Sequence, residues 1–265
     1  MVNITDMKTE HYDLDTIDVL SLVFEKQQKL MEKYWTKPVW KLLNSVEAQW
    51  LIRRFTKYTL EEIWEAFEEV EKKYHWEYKW LHWLNFEEKS SLFHEKWVKE
   101  LLNQDELEHC YEEIADSLHF YVEKLCISNV LDPDVLYQYI EDYIRENTWD
   151  EVQILTYQDL EKAVIKYSLP KYEEKNNWKW YDLWTVYQAI ASFTIYINIA
   201  DNFLRSKEWQ KDQKEVFIEW YHKALWVSLY HFVLMLLTIW IDAKIILDLY
   251  IRKNKVNNFR INSNY

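Results

Sequence analysis

Apolar residues recur every three or four positions along most of this chain, the spacing that lines one face of an α-helix. Leu20, Val23, Phe24, Gln27, Leu30 and Met31 form one such stripe and predict a first helix over Leu14 to Tyr34. Pro38 opens a second segment that runs to Phe55. Thr59 is placed to cap a third helix reaching Trp83. The charged stretch from Asn85 to Asn103 has few strand features, whereas Asp105 to Ser128 is strongly periodic. Asp132-Pro133 supplies an N-cap and a first-turn proline for a helix ending near Asn147. Tyr157 to Tyr167 stops short of Pro170, and Lys171 to Asn177 reads as a polar linker. Three further helices are expected, over Trp180 to Leu204, Glu208 to Ile241, and Ala243 into the tail. No internal repeat interrupts this order. The pattern predicts an all-α bundle of about eight to ten helices. It spans residues 1–265 as a single domain, with room for two lobes hinged at the linker.

Ala224 to Ile241 contains no Asp, Glu, Lys or Arg. Its length is at the lower limit for a membrane span, and it carries Ser228, Tyr230, His231 and Thr238. No basic flank accompanies it, so a buried core or dimer-interface helix is expected.

Composition sharpens the fold class. Glycine is absent, where average usage of about 7% predicts roughly 19. That excludes Gly-rich phosphate loops and the GxGxxG nucleotide fold, and it disfavours hairpin-rich β architecture. A helical protein tolerates the lack best, because Asn can stand in at C-terminal caps. Asn44, Asn85, Asn103, Asn129 and Asn202 are placed to do so. The 16 tryptophans read as packing residues.

With 32 basic and 45 acidic residues the net charge is −13, which argues against broad attraction to nucleic acid. An anionic substrate would need cations and a local basic patch. Two cysteines, Cys110 and Cys126, make no disulfide framework and suit a reducing, cytoplasmic compartment. The stretch from Met1 to Asp15 is acidic and polar, unlike a secretory leader.

Candidate chemistry lies in two acidic pairs and the tail. Glu62 and Glu65 stand three apart on one helix, and Glu113 and Asp116 do the same on another. If those helices pack antiparallel, four carboxylates share one groove, which requires cations to neutralise them. Oxygen-only ligands suit hard Mg²⁺. Each pair alone also fits a solvated helix face, Thr59 to Glu62 reads as a capping box, and Glu65 to Glu68 repeats the spacing. His119 shares a face with Asp116. In the tail, Lys253, Asn257 and Arg260 fall at helical spacings of four and three. There they offer two cations and an amide to phosphate oxygens.

In combination these segments resemble the dimeric all-α dUTPases, relatives of the MazG-type nucleotide pyrophosphohydrolases. Glu62 to Val70 is similar to the family's first acidic motif and Glu112 to Phe120 to its second. Lys253-Asn254, Asn257, Phe259-Arg260 and Tyr265 resemble its C-terminal phosphate-binding motif. Phe24 to Leu30 resembles its base-recognition helix. The four segments occur in the family's order. The chain departs from the pattern at Asn264 and Trp240, where the family carries glycine. It departs again at Glu32, where Asn or Asp is usual, and in an insertion over about 87–104.

The resemblance implies a homodimeric enzyme that hydrolyses dUTP to dUMP and pyrophosphate. Glu62, Glu65, Glu113 and Asp116 would hold Mg²⁺, and Glu62 or Glu65 would act as general base. Lys253, Asn257, Arg260 and Tyr265 would close on the phosphates. Gln28, Lys79, Trp80 and His119 would shape the base and sugar pocket, with Lys73 to Trp76 as the alternative register for the Lys-aromatic motif.

Three rival readings remain. Another deoxynucleoside triphosphate such as dCTP could be the substrate on the same fold. A ferritin-like di-iron site could use Glu106-Leu107-Glu108-His109. A non-catalytic helical module could use its tryptophans to bind a partner.

Overall fold

The computed structural model describes residues 12–14, 16–34, 43–77, 102–130, 132–169, 183–205, 215–239 and 241–263. Among these every regular element is an α-helix, as the periodicity predicts. We label them α1 (Val19–Tyr34), α2 (Val46–Glu77), α3 (Gln104–Ile127), α4 (Pro133–Thr148), α5 (Tyr157–Ser168), α6 (Leu183–Phe203), α7 (Ile218–Thr238) and α8 (Ala243–Asn262).

Capping chemistry sets several of these boundaries. α1 starts at Val19 rather than Leu14 because Asp18 caps it. Its Oδ2 accepts from the Ser21 backbone N–H at 2.9 Å and from the Ser21 hydroxyl at 2.6 Å. Its Oδ1 accepts from the Tyr137 hydroxyl and the Tyr157 N–H, each at 2.7 Å, which ties α1 to α4 and α5. Asp132 caps α4 ahead of Pro133, Thr156 caps α5, and Asp242 caps α8.

Two expectations fail here. The helices expected before and after Thr59 are one helix, α2, of 32 residues. Thr59 caps nothing: its side chain is buried and its hydroxyl donates to the Phe55 carbonyl at 2.7 Å, four residues back. Among the described residues Asn replaces glycine in the left-handed region only at Asn129, with φ 57°, just beyond α3. Asn103 instead N-caps α3 in a reciprocal capping box with Glu106. Asn202 lies within α6, Asn44 accepts from the Val216 N–H, and Asn85 is outside the described residues. The second positive φ belongs to Trp149, 64°, at the end of α4.

α2 packs along α3, and α6 packs along α7. Thr56 meets Lys124, Tyr58 meets Phe120, and Glu62 meets Glu113, so α2 and α3 run antiparallel. α3 is buried on nearly all sides, since α1 and α8 cover the faces that α2 leaves. The α2–α3 and α6–α7 layers are pinned by Lys124, whose fully buried ammonium pairs with the Asp201 carboxylate of α6. Arg53 on α2 donates to the Asp201 carbonyl at 3.1 Å and to the Leu204 carbonyl, satisfying the end of α6.

α7 is buried from Ala224 to Val233, as expected of a core helix. No helix among the described residues is long and apolar enough to cross a membrane. Cys110 and Cys126 are buried free thiols. Most of the insertion and all of the 171–177 linker lie outside the described residues.

Candidate functional site

The site forms where α2, α3 and α8 meet, backed by α1. On α2, Ile63, Ala66 and Phe67 are almost fully buried. Their burial fixes the helix rotation and leaves Glu62 half-buried and Glu65 exposed along the groove beside α3. On α3, buried Ile114, Ala115 and Leu118 fix Glu113 and Asp116 at the same groove. Carboxylate oxygens of Glu62, Glu65 and Glu113 lie within 4.8 Å of one another.

The crowding has an electrostatic signature. Partial desolvation, a hydrogen bond with Glu113, and the charges of Asp116, Glu113 and Glu65 push the Glu62 carboxyl up to about 8. Glu62 thus holds a proton near neutrality because it is partly desolvated and three other carboxylates crowd it. Asp116 is treated differently. Desolvation raises it above the usual carboxylate range, and Lys253 Nζ from α8, 2.5 Å from Oδ1 and 2.6 Å from Oδ2, offsets only part of that rise. His109 places Nδ1 3.3 Å from a Glu113 oxygen.

Beside the carboxylates opens a pocket of about 340 Å³. Lys253, Asn257 and Arg260 line it from α8, so the three residues spaced four and three apart do share one face. Asp116, His119, Phe120 and Glu123 line it from α3, and Leu30 from α1. Phe120 forms an aromatic wall, with Tyr58 and Phe55 ring centroids 5.2 Å and 6.2 Å away.

Behind the pocket runs a buried polar relay. The Tyr250 hydroxyl donates to Gln27 Oε1 at 2.6 Å, and His119 Nδ1 lies 3.1 Å from the same oxygen. Gln27 Nε2 donates to Glu123 Oε1 at 2.9 Å. The His119 ring stacks on Tyr250, centroids 4.3 Å apart, with Nε2 3.4 Å from the Tyr250 carbonyl. Burial holds His119 down to about 3, so the ring is neutral. Burial also pushes Glu123 up to about 8, against the opposing hydrogen bond from Gln27.

The structure thus brings Glu62, Glu65, Glu113, Asp116, His119, Lys253, Asn257 and Arg260 together. Gln28 is half-buried on α1 and does not line this pocket. The neighbouring Gln27 joins the relay instead. Glu32 is exposed. Lys79, Trp80 and Tyr265 lie outside the described residues, as does Trp240. The residues missed from sequence are Gln27, Phe120 and Glu123. Their signals were an amide inside an apolar stripe, and a carboxylate four residues beyond His119 on the same face.

No family model, curated protein or solved structure matches this chain.

Proposed function

We propose that this protein is a divalent-cation-dependent nucleoside triphosphate pyrophosphohydrolase, and that its substrate is dUTP, cleaved to dUMP and pyrophosphate. The observation that carries the reading is the approach of Glu62, Glu65 and Glu113 to within 4.8 Å beside a pocket lined by Lys253, Asn257 and Arg260. The order of its motifs, which resembles the dimeric all-α dUTPases, supports the same reading.

The donor set fits Mg²⁺. It is made only of oxygens and its atoms are close enough to share an ion, and the desolvation and neighbouring carboxylates that raise Glu62 are what a bound cation would offset. Glu62, Glu65 and Glu113 would hold the metal, with Asp116 joining them once Lys253 lets go. Bound there, Mg²⁺ supplies charge neutralisation at the phosphoryl oxygens. Lys253 and Arg260 bind the triphosphate oxygens, and Asn257 donates an amide N–H to them. Either Glu62 or Glu65, ionised, orients the attacking water and accepts its proton. Phe120 and the relay behind it bound the far end of the pocket and exclude water there.

Pyrophosphate release from dUTP, dCTP and dTTP, with and without Mg²⁺, tests this directly. Release from dUTP that requires Mg²⁺ and is lost in Glu113→Ala supports the assignment. Full activity in that variant contradicts it. The di-iron alternative loses ground because Glu106, its first ligand, is held in the capping box at the start of α3.

The homodimer belongs to the same proposal. Ile195 and Ile199 are exposed on α6, whose single charged residue, Asp201, turns inward to Lys124. An uncharged face is where a chain carrying −13 can meet its own copy without repulsion. Sedimentation equilibrium should give twice the chain mass, and Ile195→Glu should give the monomer.

A further inference from the structure

A second pocket opens between α1 and α8, on a different face of α8 from the one beside the carboxylates. It has a volume of about 460 Å³ and shares only Leu30 with the first pocket. Lys26, Lys29 and Lys33 line it from α1 and Lys255 from α8. Among the described residues no carboxylate lines it. We propose that it binds a small, soluble phosphate-bearing anion and is a separate site from the candidate active site.

Helical spacing builds this pocket. Lys26, Lys29 and Lys33 fall three and four apart, so one face of α1 carries all three. Gln27, Leu30 and Met31 are buried on the inward face, which fixes the rotation of α1. Gln27 meets Tyr250 and Lys33 meets Asn258, so α1 and α8 run parallel.

Asn258 holds Lys33 in place. Its Nδ2 donates to the Asn254 backbone carbonyl and to Asn254 Oδ1, each at 2.9 Å. That orientation leaves the Asn258 Oδ1 to accept from Lys33 Nζ. A neutral amide takes one of the three ammonium N–H groups and none of the charge. Lys33 is therefore positioned without being neutralised, and among the described residues no carboxylate pairs with it. Lys29 pairs with Glu25 one turn back, with side-chain exposures of 65% and 56%. Glu25 does not line the pocket. Such an exposed pair is weak and gives way to a phosphate, which brings more charge and more acceptor oxygens. Lys26 and Lys255 add to the field while keeping contacts of their own, Lys26 with the Tyr12 ring 5.9 Å away.

Two parallel helices end here, and their dipoles alone attract cations. That accounts for Lys33, in the last turn of α1. It does not account for Lys26, Lys29 or Lys255, each more than a turn from its helix end, because the effect fades within the last turn.

Size and charge narrow the ligand. Pockets of about 300–1,000 Å³ take small molecules. Leu30, Ile251 and Phe259 give this one an apolar wall, which strengthens each contact between ammonium and phosphate. The chain as a whole carries −13, which repels extended polyanions and leaves small anions to enter. Phosphate suits the site better than carboxylate, because its additional oxygens can be shared between Lys29 and Lys33.

Calorimetric titration with pyrophosphate, in EDTA and at low salt, tests the site. Lys253→Met/Arg260→Gln disables the first pocket, and this variant should still bind one equivalent. Adding Lys29→Gln/Lys33→Gln should weaken that binding about tenfold or more. Adding Lys162→Gln/Lys166→Gln instead, an equal loss of charge at exposed positions on α5, should change it less than about twofold. Asn258→Leu keeps every charge but releases Lys33, and it should also weaken binding. Circular dichroism checks that each variant is folded. Loss of all binding in Lys253→Met/Arg260→Gln would overturn the proposal, as would equal weakening by the two lysine pairs. Vesicles containing phosphatidic acid should sediment no more protein than neutral vesicles. Sedimentation that depends on Lys29 and Lys33 would assign the pocket to a lipid headgroup and overturn the soluble ligand. Pyrophosphate binding here, in a protein that releases none from any nucleotide, would remove the hydrolase and keep this site.

Discussion

Lys253 gives the sharpest mutational prediction, because it is placed to do two opposing things. Its ammonium sits 2.5 Å and 2.6 Å from the two Asp116 oxygens, with side-chain exposures of 14% and 25% for the lysine and the aspartate. It also lines the pocket where the triphosphate would lie. In the free protein it pairs with a carboxylate that, on the proposed function, a cation would take. In the proposed complex it would bind phosphate.

Lys253→Met keeps the length of the stem and removes the charge. A hydrogen bond to a charged group contributes about 1.5–3 kcal/mol, so kcat/KM for dUTP should fall about 10- to 150-fold. Removing a cation from beside the carboxylates should have the opposite effect on the metal. The half-saturating Mg²⁺ concentration, measured at saturating nucleotide, should drop about tenfold. Steady-state kinetics with separate Mg²⁺ and dUTP titrations reads both numbers, and circular dichroism checks the fold. A parallel loss of nucleotide and metal affinity would refute the competition between Lys253 and the cation. No change in either would remove Lys253 from the site.

Further predictions follow from buried groups and caps. Lys124→Met should cost about 3–5 kcal/mol in urea unfolding by stranding Asp201. The double variant Lys124→Met/Asp201→Leu should recover most of that. Glu161 is buried, its Oε1 has no hydrogen-bond partner, and desolvation followed by the Asp242 charge lifts its carboxyl to about 8. Its folded-state affinity for a proton is raised, so its contribution is present below about pH 4.5 and is lost as pH climbs through about 8. Glu161→Gln should therefore raise the unfolding midpoint at pH 8, by about 1–3 kcal/mol equivalent, and change little at pH 4.5. Trp149, 91% exposed with φ 64°, occupies a left-handed position that suits glycine. Trp149→Gly should stabilise by about 0.5–1 kcal/mol in thermal unfolding.

The helical class was legible because periodicity and the lack of glycine pointed the same way. The caps at Asp132 and the start of α8 were readable for the same local reason. What sequence could not resolve was competition among local signals. Thr59 has the sequence of an N-cap, yet its hydroxyl turns back to Phe55 once Ile52, Phe55 and Ile63 are buried against α3. That choice frees Glu62 from a capping box and leaves it for the acidic cluster.

Within the site, the residues on α3 and α8 were legible as faces of helices. The relay was not, because Gln27, Glu123 and Tyr250 come from three helices and become a network only through packing. Choosing Gln28 over Gln27 reflects the same limit: neighbouring residues on a helix point about 100° apart, and only the tertiary neighbours decide which faces inward.

The most direct measurement is anomalous diffraction from crystals soaked with Mn²⁺ and dUMP. Anomalous density among the carboxylates of Glu62, Glu65 and Glu113, with Lys253 moved off Asp116 toward phosphate, is the expected result. Crystals that bind the nucleotide but show no metal at those carboxylates would contradict a cation-dependent hydrolase.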